Sequence, residues 1–64
     1  VQNHCDTLLC KALEVSQELI DLAQRGMEGC EHERCLMFFG LVLDAGHKIQ
    51  RLAVERRQEL AVHP

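Results

Sequence analysis

Residues 35–43 read CLMFFGLVL: nine in a row without a charge, holding both phenylalanines and one of the two methionines. The run opens a helical pattern that continues to about residue 60. Cys35, Phe39, Val42, Gly46, Ile49, Ala53, Arg56 and Leu60 recur in steps of four and three, the seam of a helix packed lengthwise on another. Around the first turns, Leu36, Met37, Phe38 and Leu41 spread apolar groups over nearly the whole circumference. A helix that is apolar all round is buried on all sides, and one neighbour is too few for that.

Working back from this run, Cys5, Leu9, Ala12, Ser16, Leu19 and Ala23 form a matching seam. Leu8, Leu13, Val15, Ile20 and Leu22 widen it, while Glu14, Gln17, Glu18, Asp21 and Arg25 take the other side. Asn3 suits an N-cap, and Asp6 places a carboxylate at the positive helix end. Asp21 with Arg25, and Asp44 with Lys48, have the i,i+4 spacing of ion pairs. Gly26 suits the left-handed residue that closes a helix, and Gly29 is a second turn signal. The expectation is one domain over residues 1–64: a first helix over about 4–25, a turn over about 26–30 and a second helix over about 31–61.

That is an all-α antiparallel hairpin, and the apolar girdle predicts that two copies pair into a four-helix bundle. Leu36, Met37, Phe38, Phe39, Leu41 and Val42 are its expected interface. In architecture the arrangement resembles the Rop family of plasmid-copy-control RNA-binding proteins. No motif accompanies the resemblance, so it implies a shape and no function.

Composition narrows the function classes. Sixty-four residues with no Trp or Tyr and a single Pro favour helix over sheet. A chain this short buries only about 60% of its unfolded surface, so a partner, metal or disulfide commonly completes such folds. The net charge is −3, divided as −4 over residues 1–43 and +1 over 44–64. Without a strongly basic face there is little ground for nucleic-acid binding. No uncharged stretch reaches the roughly 20 residues a membrane span needs, and no secretory leader is visible, so the cytoplasm is the expected compartment.

The most unusual feature is four cysteines, Cys5, Cys10, Cys30 and Cys35, in a C-x4-C, x19, C-x4-C pattern. Buried structural thiols, disulfides, and zinc or iron–sulfur ligation compete as readings. A hairpin turning near residue 28 sets Cys5 level with Arg51, Cys10 level with Gly46 and Ser16 level with Gly40. Cys30 and Cys35 then lie some 30 Å from Cys5 at 1.5 Å per residue, beyond the roughly 7 Å Cα separation a disulfide tolerates. Within one i,i+5 pair a continuous helix also prevents closure; only a break in the helix allows it, and Cys30–Cys35 is where a break is expected. In an antiparallel dimer, Cys5 and Cys10 of one copy would meet Cys30 and Cys35 of the other. Four thiols would gather at each end, with His4 and His32 near enough to join as ligands.

Other constellations are weaker. Asp44 and His47 have the i,i+3 spacing of di-iron bundles, with Glu14 near their level, but the seams turn all three outward. No phosphate loop or oxyanion turn is present. The expected function is a small non-enzymatic interaction or regulatory module acting as a homodimer with a further protein partner, and without a cofactor. A metal- or redox-responsive protein built on the cysteines is the alternative, and an RNA-binding bundle a weaker one.

Overall fold

The structure, a computed structural model, describes the backbone of residues 4–62 and the side chains of residues 6–61. Two helices, α1 (His4–Gly29) and α2 (Glu33–Val62), pack antiparallel over their whole length. Among the described residues there is no strand. The hairpin is a rod with extents of 50 × 15 × 12 Å. Neither helix is long and apolar enough to cross a membrane.

The two seams form as their spacing requires. Ser16 and Ala23 are fully buried, Ile20 and Ala53 nearly so, and Gly46 is buried between them. Leu9, Ala12, Leu19, Phe39, Val42 and Leu60 are half-buried along the same lines. Ile20 goes deeper than Leu19, so the first seam runs slightly to one side of the expected line. Cys35, Ile49 and Arg56, placed on the second seam by periodicity, are exposed. The Ser16 hydroxyl donates to the Leu13 carbonyl at 2.8 Å, which satisfies within its own helix the one fully buried polar side chain among the described residues.

The turn lies later than expected. Gly26 is helical, no glycine has a positive φ, and α1 continues to Gly29. The reason Gly26 carries no side chain is therefore contact and not backbone conformation. A Cβ there would stand 2.5 Å from the Phe39 ring, so the ring seats directly on the α1 backbone. The link is only residues 30–32, and α2 opens with the Leu36 amide donating to the His32 carbonyl at 3.0 Å. With α1 at 26 residues and α2 at 30, the two helices differ in length by about 6 Å.

The later turn shifts every pairing across the hairpin. Gly26 faces Phe39, and Gly46 faces Ser16 and Ile20. The Gln50 amide donates to Gln17 at 3.1 Å, and Arg57 pairs with Asp6 at 3.1 Å. Ser16 thus lies beside Gly46 and not Gly40, and Cys10 lies near Arg57 and not Gly46. The expected ion pairs Asp21–Arg25 and Asp44–Lys48 do not close. Asp21 accepts from Gln17 at 3.1 Å instead, a swap that costs little because such exposed pairs contribute only about 0.2–0.5 kcal/mol. Asn3, the expected N-cap, lies outside the described residues.

Candidate functional site

Two features stand out once the register is known: an uncovered apolar face and a pair of thiols at the turn. The face follows from counting one residue back from the buried line. On α1 that line passes through Leu9, Ser16 and Ala23; the residues just before it are Leu8, Val15 and Leu22. On α2 it passes through Phe39, Gly46 and Ala53; the residues just before it are Phe38, Ala45 and Leu52. One residue is 100° of helix. Reversing a helix reverses both its direction and its sense of rotation, so in an antiparallel pair these two flanks fall on the same side of the rod. All six residues are apolar and all six are exposed, Leu8 at 57%, Leu22 at 53% and Phe38 at 58%. Leu41, 68% exposed, and Ile49 fill in between them on α2.

The residues just after the buried line make the opposite flank: Cys10, Gln17 and Gln24 on α1, with Gly40, His47 and Val54 on α2. The Gln17–Gln50 bond and the Asp6–Arg57 pair close across this side. An open hollow lined by Asp6, Val54, Arg57, Gln58, Leu60 and Ala61 lies there too. Its two charges satisfy each other, with the Asp6 hydrogen bond pushing the Arg57 guanidinium further up.

Of the six residues expected at a dimer interface, the structure divides them three ways. Phe38 and Leu41 belong to the uncovered face, and Met37, 65% exposed, to its outer edge. Phe39 and Val42 are half-buried inside the hairpin, Phe39 against Gly26 and edge-on to Phe38 with ring centroids 5.2 Å apart. Leu36 falls on the other flank with Val54, about 160° around α2 from Phe38.

The cysteines divide as well. Cys10 is half-buried, Cys30 half-buried and Cys35 exposed, all three as free thiols; the Cys5 side chain lies outside the described residues, as does that of His4. The Cys30 thiol is held above its ordinary pKa, first by the hydrogen bond it shares with the Cys35 side chain, then by loss of solvent, while the His32 backbone opposes the shift. Among the described residues of one chain, no three His, Cys, Asp or Glu side chains converge as metal ligands would. His32, Asp44, His47 and Glu14 are each exposed. The apolar face was legible in the heptad-spaced residues before the seam, and the break in the helix expected between Cys30 and Cys35 lies there, at residues 30–32. No protein-family model, curated protein or solved structure shows significant similarity to the chain.

Proposed function

We propose that the chain is a non-enzymatic interaction module whose working unit is a homodimer, two hairpins joined through the Leu8–Val15–Leu22 and Phe38–Ala45–Leu52 face into a four-helix bundle. The observation that carries this is the poverty of the hairpin's own core. Among the described residues its buried apolar side chains are Ile20, Ala23 and Ala53, far less than a folded domain needs to offset the roughly 1–2 kcal/mol of backbone entropy lost per residue. The missing burial is available on one face. That face runs about 21 Å from Leu8 to Leu22 along a rod 50 Å long and 15 Å wide, and Leu41 and Met37 carry it outward on α2.

The seven-residue spacing on both helices suits side-by-side packing of helices at a shallow angle. A second copy of the chain offers the same stripe at the same spacing, and a two-fold axis brings like patches together. Further partners would then read the bundle's outer, charged surface.

Sedimentation across a range of concentrations tests the reading. The expected result is a dimer at micromolar protein with a melting temperature that rises with concentration. Leu41→Asp, at the most exposed apolar position of the face, should shift the population to monomer and lower the melting temperature. A compact monomer with concentration-independent melting would contradict it.

A further inference from the structure

The cross-hairpin register places the two turn cysteines opposite each other. Gly26 faces Phe39; one helical turn nearer the loop, four residues on in α1 and four back in α2, the facing positions are Cys30 and Cys35. Cys30 is the first residue after α1, and Cys35 is in the first turn of α2. The non-helical link between them removes the obstacle that keeps i,i+5 thiols apart on a continuous helix. Both remain free thiols, and Cys35 is open to solvent.

We propose that Cys30 and Cys35 are a reversible oxidation site, closing into an intrachain disulfide across the turn with hydrogen peroxide as oxidant. Cys35, the exposed member, reacts first. Its thiolate sulfur attacks a peroxide oxygen, the O–O bond breaks, and hydroxide leaves with the thiol's proton as water, which makes Cys35 a sulfenic acid. The Cys30 sulfur then attacks the Cys35 sulfur, the S–O bond breaks, and hydroxide leaves with the Cys30 proton as a second water. Each sulfur has given up one electron, and the peroxide has been reduced by two. Cys30 suits the second role because it faces Cys35 across the short link and is the less exposed of the two. An external thiol reverses the reaction by exchange. The site rests on the fold of one hairpin and not on the dimer.

The test uses the wild-type chain purified under reducing conditions, exposed to hydrogen peroxide, quenched with N-ethylmaleimide and weighed intact without reductant. The expected product is a single chain lighter by two hydrogens with two thiols protected from alkylation. Trypsin cleaves after Arg25, Arg34 and Lys48, so the disulfide should join peptide 26–34 to peptide 35–48, and dithiothreitol should separate them. Cys10→Ser should keep the linked pair and Cys30→Ser should lose it. Three results would overturn the proposal. One is both thiols still alkylated at a peroxide dose that has oxidised Cys10; another is a linkage to the peptide holding Cys5 and Cys10. The third is a disulfide that forms only between chains.

Discussion

At the scale of single residues, two glycines in the same helix are predicted to respond with opposite sign. A Cβ at Gly46 would stand 2.9 Å from the Ile20 side chain, 3.2 Å from the Ser16 carbonyl oxygen and 3.3 Å from the Ile20 amide. Two of those three neighbours are backbone and cannot move aside without separating the helices. Gly46→Ala should therefore lower stability by about 1–3 kcal/mol, overpacking outweighing the gain in helix propensity. At Gly40 nothing lies within 4 Å. Gly40→Ala should raise stability by up to about 1 kcal/mol, since only the propensity gain applies. Thermal or urea unfolding of the two variants side by side checks both signs.

At the scale of the element, the end of α1 separates two accounts of one glycine. If Gly26 were needed for a left-handed conformation, an alanine there would be costly whatever stood opposite. Gly26 is helical and its constraint is the Phe39 ring, so the cost should depend on that ring. Gly26→Ala should destabilise by about 1 kcal/mol in the wild type. In a Phe39→Leu background the loss should vanish or reverse, a non-additivity that a double-mutant cycle reads directly. Phe39→Ala alone should cost about 2–3 kcal/mol, below the range for a fully buried phenylalanine because the ring is only half-buried. An equal penalty for Gly26→Ala in both backgrounds would refute the contact account.

At the scale of the whole molecule, the rod has two unlike sides, and charge should be tolerated on one of them alone. Leu22→Glu with Leu52→Glu puts carboxylates on the apolar face; Gln24→Glu with His47→Glu adds as many on the opposite flank. The first pair removes about 1.5–3 kcal/mol of burial per side chain, twice over in a symmetric dimer. That should raise the dissociation constant by at least about 100-fold. The second pair should leave it within a few-fold. Sedimentation of both variants at matched ionic strength distinguishes a one-faced assembly from general repulsion, because the added charge is comparable.

The sequence by itself determined the elements and their inner faces. Seams in fours and threes belong to helices, and of the buried positions Ser16, Ala23, Gly46 and Ala53 lie on the lines that spacing drew, while Ile20 lies one residue beside them. It also held the second stripe, since Leu8, Val15 and Leu22 recur every seven residues beside the first. What periodicity leaves open is how far along one helix the other is set. A glycine that ends a helix and a glycine that makes room for a ring look alike in a sequence, so Gly26 drew the turn forward to residue 26 when α1 runs to Gly29. Only the tertiary contact of Phe39 with Gly26 fixed the register. That register, by sliding α2 along α1, moved Ser16 from Gly40 to Gly46. Local spacing dictates which face of a helix is apolar; where two such faces come to rest along each other is decided by the few side chains that fit nowhere else.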